Sequence, residues 1–203
     1  MSVGSGGICL QLAFFGAPDT GKASLIHQIL DNGFIEEGAK ENVFANCKNK
    51  TFVIPGMHNA VVMDTNDIHN FPPMKRVTIQ RANIFVLVFA VDNEKSLDEV
   101  ENYYNEIVEI KRDSPEYHNN RIPIVVVANK SELSGNWRVN RTVVRHKVEE
   151  WGCKYIEVSA RNGTNILELK QTIVEETRLS YNAAKPRRKK YSIAHKFKSL
   201  ISE

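Results

Sequence analysis

Apolar runs alternate with longer amphipathic segments along this 203-residue chain. Residues 8–15, 51–54, 60–64, 84–91, 122–128 and 154–160 read as strands. Two of them, IFVLVFAV (84–91) and IPIVVVA (122–128), are apolar at nearly every position. That is the pattern of central strands covered on both faces, whereas a strand with one wet face alternates. Five segments between the strands carry helical spacing, near 22–32, 73–82, 95–112, 139–151 and 165–181. Pro55-Gly56 breaks the stretch 51–64 into a hairpin. Strands alternating with helices predict an α/β fold: a six-stranded, mostly parallel sheet with one antiparallel hairpin strand, flanked by about five helices. No internal repeat is visible.

Composition narrows the class. The apolar and charged fractions are those of an ordinary soluble protein, and the length suits one domain plus a short appendage. Cys9, Cys47 and Cys153 are few, odd in number and far apart, so they suggest neither a disulfide framework nor a zinc site. A reducing, intracellular setting is expected. The first apolar run is too short to span a bilayer and has no basic flank. Ser2 argues against an N-myristoyl start.

Charge is unevenly spread. Residues 185–203 hold seven Lys or Arg against one acid, a net of +6, while the whole chain is +3. Residues 1–184 are therefore −3, and the basic balance belongs to the tail. A nucleic-acid-binding core is not expected.

The chemistry starts at FGAPDTGKASL (15–25). Gly16, Ala17, Pro18, Asp19, Thr20, Gly21 and Lys22 have the GxxxxGK spacing of a phosphate loop, after a strand and before a helix. In that setting successive backbone N–H groups and the helix N-terminus favour a phosphate, and Lys22 adds a cation. The next residue is normally Ser or Thr, whose hydroxyl holds Mg²⁺. Here it is Ala23. Ser24 follows, but one helical step turns its side chain by about 100° away from that position.

Three more segments turn the motif into a resemblance. Asp64-Thr65-Asn66-Asp67 follows the hairpin, Asn129-Lys130-Ser131-Glu132 follows IPIVVVA, and Ser159-Ala160-Arg161 follows KYIEV. In this order and at these distances they resemble the DxxG, NKxD and SAK motifs of the Ras-like small GTPases. The resemblance runs from about residue 8 to 181. IHNFPPMKRVTI and KSLDEVENYYNEIVEIK look most like the Di-Ras and dexamethasone-induced Ras branch. It implies a Ras-like domain over residues 1–181, a tail over 182–203, and a guanine nucleotide, GDP or GTP, as cofactor.

The departures from the family concentrate at one end of the implied site. Ala23 stands where the family has its Mg²⁺-ligating hydroxyl. The first-switch Thr falls at Glu41, and no Thr or Ser occurs from 25 to 50. The Gly of DxxG is Asp67, and the Gln that orients the attacking water is Ile68. Within the loop, Pro18 and Asp19 replace glycines. Two unit charges about 4 Å apart interact by roughly 4 kcal/mol at an effective dielectric of 20. Asp19, Glu41 and Asp67 near the expected terminal phosphate therefore disfavour GTP more than GDP. Hydrolysis is expected to be very weak or absent, with no catalytic residue assigned. Firm Mg²⁺ binding is not expected either, although Asp64 is retained as a metal ligand in type, and a rebuilt cation site is the alternative. His69 in a polar loop reads as solvated.

The base end keeps its residue types. The resemblance gives Asn129 and Lys130 the role of framing guanine and places Phe34 at its edge. It gives Glu132 the carboxylate that accepts the base N–H groups, one methylene longer than the family's Asp. Ser159, Ala160 and Arg161 form the loop against the guanine oxygen. The other reading is that these residues now only hold loops together.

The tail, KPRRKKYSIAHKFKSLISE, sets Ile193, Phe197, Leu200 and Ile201 on one helical face behind a basic cluster. That pattern suits an anionic membrane surface through residues 185–201. A nuclear import signal, a calmodulin-type target helix or a solvated tail are the alternatives. The last four residues, Leu-Ile-Ser-Glu, lack the cysteine of a prenylation box, so no C-terminal prenyl anchor is expected. In the family the switch segments meet protein effectors and regulators, which points to residues 35–47 and 66–80. The expected setting is cytoplasmic, with the tail giving a peripheral membrane contact.

Overall fold

The computed structural model describes residues 10–30, 51–52, 54, 60–65, 71–112, 114 and 121–184. Six strands form one sheet: β1 (Leu10–Phe15), β2 (Thr51–Phe52), β3 (Ala60–Asp64), β4 (Ile84–Ala90), β5 (Ile124–Asn129) and β6 (Lys154–Glu157). Their order is β2-β3-β1-β4-β5-β6. Every pairing is parallel except β2 with β3, which is antiparallel with Thr51 opposite Val61 and Phe52 opposite Ala60. Among the described residues the α-helices are α1 (Lys22–Ile29), α2 (Pro72–Arg81), α3 (Glu94–Lys111), α4 (Arg141–Glu150) and α5 (Ile166–Ala184). The predicted sheet, its hairpin and its helices are all present.

Strand alternation divides the core in two. Leu12 and Phe14 of β1, Val86 and Val88 of β4, and Val125 and Val127 of β5 face the layer that holds α1 and α5. Their neighbours Phe15, Phe85, Leu87, Phe89, Val126 and Ala128 face α3 and α4. Side chains along a strand point to opposite faces, so a strand covered on both sides must be apolar throughout. β4 is buried at all seven positions. On the α3 side Tyr103 lies 5.2 Å from Phe15, ring centre to ring centre.

Helix ends follow local chemistry. The pattern predicts α4 from residue 139, but Asn140 caps it, its Oδ1 accepting from Thr142 N (2.9 Å) and Val143 N (3.3 Å). Such a cap satisfies donors the first turn leaves open, so the helix starts at Arg141. Buried Val139 sits in the preceding link, its N–H bonded to Val91 O. α5 runs three residues past the predicted 181, to Ala184.

α2 buries only Thr78 and Ile79. Two lysines fasten it to α3: Lys75 pairs with Glu106 at 2.7 Å, and buried Lys111 donates to Gln80 O at 2.8 Å. A cation at a helix C-terminus also meets that end's partial negative charge.

Candidate functional site

The chain leaves β1 for β3 on one side and returns to β4 on the other. Such a reversal opens a crevice at the carboxyl ends of the strands, where open α/β sheets take ligands. The loop 16–21 lies there.

Its shape is fixed by backbone geometry. Gly16 has φ 153°, and a Cβ on it would stand 2.0 Å from the carbonyl oxygen of Val88 in β4. Gly21 has φ 84°, and a Cβ there would meet Asn129 Nδ2 at 2.4 Å. Asp19 also adopts a left-handed conformation, φ 59°, and is exposed at the crest. Thr20 is fully buried, its hydroxyl donating to Ala17 O at 2.9 Å. Ala17 is buried and Pro18 exposed.

Lys22 turns back onto the loop. Its Nζ donates to the carbonyl oxygens of Gly16 (2.9 Å) and Ala17 (2.7 Å), and the residue is buried. Burial pulls its pKa from 10.5 to about 8, against the opposing pull of the Asp64, Glu99 and Asp19 carboxylates. Ala23 and Ser24 follow in the first turn of α1, both half-buried. Residue 23 therefore offers a methyl group where the family's ion needs an oxygen. Among the described residues no three His, Cys, Asp or Glu side chains are grouped to hold a metal ion. Asp64 lies at the end of β3, and Ala23 adds no side-chain oxygen beside the loop.

The base-side segments converge on Asn129. Its Nδ2 donates to Thr20 O at 2.9 Å and its Oδ1 accepts from Ala160 N at 3.0 Å. Both functions of the buried amide are used to tie the phosphate loop to the 159–161 loop, so its visible work is to hold loops. Lys130 takes φ 67° and lies 3.4 Å from both oxygens of Asp92. Ser159 is buried and its Oγ accepts from Asn162 N, Ala160 is buried, and Arg161 is exposed. Glu132 stands apart. Its Oε2 is shut off from water and has no hydrogen-bond partner among the described residues. A buried acceptor without a donor is costly.

Between the two ends lies an open cleft of about 1010 Å³, with Asp19, Asp92, Lys95, Lys130, Trp137 and Arg138 on its walls. The Arg141 guanidinium stacks 3.7 Å above the Trp137 ring centre.

Phe34, Glu41, Asp67, Ile68 and His69 lie outside the described residues, as do the tail 185–203 and most of the expected partner segments. Three contributors were absent from the motif reading: Asp92 beside Lys130, Glu99 in the field of Lys22, and Gln28, whose Nε2 donates to Ala160 O at 2.9 Å. Asp92 follows the carboxyl end of β4, and the strand-end rule alone could have found it. Glu99 and Gln28 reach the site only through helix packing, and no spacing announces them.

A family profile described as the Ras family matches residues 11–179. Mouse "GTP-binding protein Di-Ras2" is 30% identical over 164 residues, covering 81% of this chain and 79% of that protein. Mouse "GTP-binding protein Di-Ras1" is 30% identical over 178 residues, 84% of this chain and 83% of that protein. Human "GTP-binding protein Rhes" is 27% identical over 193 residues, 91% and 71% respectively.

Proposed function

The chain belongs to the Ras family, and we propose that within it this protein is a signalling protein without a working hydrolytic cycle. It binds a guanine nucleotide, or works nucleotide-free, and acts by contacting partners. The similar proteins are described as GTP-binding, which supports guanine as the base. One observation carries the rest: residue 23, next to a correctly formed phosphate loop and its buried lysine, has no oxygen to offer. Ion-assisted charge stabilisation is central to phosphoryl transfer in this class of site. The carboxylates of Asp19, Asp64 and Glu99 around Lys22 add to the cost of a terminal phosphate.

Partner contact is supported on α2. Phe71, Met74 and Val77 are exposed at three-residue spacing, and large exposed apolar side chains gathered on one face mark interaction sites. The basic tail supplies a peripheral contact with an anionic membrane inside the cell; no described helix is long and apolar enough to cross one.

Calorimetric titration of nucleotide-stripped protein with GDP and GTP, each with and without Mg²⁺, tests this reading. The expected result is no binding, or weak GDP binding indifferent to Mg²⁺. Tight, Mg²⁺-dependent GTP binding would replace it with an active switch whose cation site is rebuilt around Asp64.

A further inference from the structure

We infer that the exposed face of α2 is a membrane contact in its own right, taking an anionic lipid surface. This rests on the reading of α2 as a contact face and deepens it by naming what the face meets.

The face is apolar at its start and along its crest. Phe71, Pro72, Pro73 and Met74 are exposed in a row, and Val77 is exposed one turn further on. Phe71 and Met74 each show more than half of their surface, 59% and 56%. At about 100° per residue, Met74, Val77 and Arg81 fall within about 60° of one another around the helix, and Val77 is turned about 160° from buried Ile79. The stripe therefore looks outward, away from the sheet. Pro72 and Pro73 open the helix. Neither carries an N–H, so this end has fewer polar groups that a lipid surface would strip of water.

Charge selects the lipid. From Phe71 to Ala82 the chain carries Lys75, Arg76 and Arg81 and no Asp or Glu. Lys75 is taken by Glu106 at 2.7 Å. Arg76 and Arg81 are exposed beside the stripe, and neither pairs with a carboxylate among the described residues. Apolar anchors flanked by guanidinium groups are the pattern of a helix lying in the headgroup layer. The neighbouring α3 has the opposite balance: Glu94, Asp98, Glu99, Glu101, Glu106 and Glu109 against Lys95 and Lys111. It repels an anionic surface and confines the contact to α2. The chain's own tail, with a net of +6, is repelled by Arg76 and Arg81 and is not the occupant. Topology lets the tail reach the same surface instead. α2 runs from β3 to the parallel strand β4, so it ends where the strands begin. α5 comes down to that end too, its Glu176 pairing with Arg121 just ahead of β5. Two weak contacts on one chain reinforce one another.

The test is sedimentation of the full chain with phosphatidylcholine vesicles, with and without phosphatidylserine. Anionic vesicles are expected to bind it at least about tenfold more tightly than neutral ones. The combined variant Phe71→Ser, Met74→Ser, Val77→Ser is expected to lose about tenfold or more, with the circular dichroism unchanged. Arg76→Glu with Arg81→Glu is expected to lose about tenfold or more as well, since one cation at such a surface is worth about fivefold. This second variant decides the matter if the serine variant folds poorly. A third, Arg187→Glu, Arg188→Glu, Lys189→Glu, Lys190→Glu, reads the tail alone. If it abolishes binding while both α2 variants stay within about twofold of the parent, the inference is overturned and the tail reading stands. If the α2 variants lose binding and the tail variant does not, the inference holds and the tail reading fails. Equal binding to neutral and anionic vesicles, or to neither, overturns it. So does a glutamate-rich amphipathic peptide that binds the parent but not the Arg76→Glu, Arg81→Glu variant, with vesicles indifferent to α2; the face would then belong to an acidic protein partner.

Discussion

The phosphate loop and the loop after β5 are built from similar materials and stand in different states. At the phosphate loop, Thr20, Lys22 and the loop carbonyls bond to one another, and the buried Lys22 ammonium stands in the field of Asp64, Glu99 and Asp19. After β5, the buried Glu132 Oε2 has no hydrogen-bond partner among the described residues. A motif can therefore keep its shape while the residue beside it, here Ala23, departs from the family. GxxxxGK is intact in the first loop; in the second the family's Asp is Glu132.

Gly16→Ala should have the largest effect and tests whether the loop is held by packing or by phosphate. A Cβ 2.0 Å from a strand carbonyl cannot be accommodated without moving backbone. We expect a loss of about 3 kcal/mol or more in urea unfolding, the upper range for overpacking, in protein free of nucleotide. A neutral result would mean that the loop is loose until a ligand orders it. Next comes Asn129→Ala, which cuts the tie between the ends. It strands Thr20 O and Ala160 N in a buried setting, at about 1–3 kcal/mol for each group left unpaired. The same unfolding measurement reads it.

A smaller change repairs one end alone. Ala23→Ser combined with Asp67→Gly should raise GTP affinity in Mg²⁺ by about tenfold, about 1.4 kcal/mol. No gain would count against damage as the explanation of the departures at 23 and 67. The smallest signal is a proton count. The pKa of Lys22 is about 8 in the folded chain, below its ordinary 10.5, so between those values the unfolded chain binds more protons than the folded one. Stability contributed by this residue therefore rises with pH across that window and is least below about pH 8. Unfolding near pH 9 should take up close to one proton that Lys22→Met does not take up. Equal uptake would mean that the carboxylates hold the lysine charged, and that the phosphate end is more receptive than its burial implies.

Much of this was legible beforehand, for identifiable reasons. β4 was readable because a strand covered on both faces has no polar position to blur it, and the phosphate loop because glycine spacing answers to fixed geometry. The start of α4 was misjudged by two residues because apolar Val139 extends the helical pattern although the Asn140 cap decides the boundary. Asn129 was visible as a motif residue, but not as the link between two loops, because its partners lie 109 and 31 residues away. Glu99 and Gln28 were invisible for a related reason. They sit on helix faces whose spacing describes packing, and only the fold carries them to the site.

The clearance at Gly16 and Gly21 bears on how such proteins descend. Both glycines are required by neighbours inside the chain, Val88 O and Asn129 Nδ2, whether or not anything is bound. A lineage that gives up phosphate is released at residue 23, where no such clearance is at stake. It is not released at 16 or 21. Drift then erases the ion ligand first and the loop signature last, so a search for GxxxxGK finds the ancestry of the sheet and overcounts the proteins that still use it.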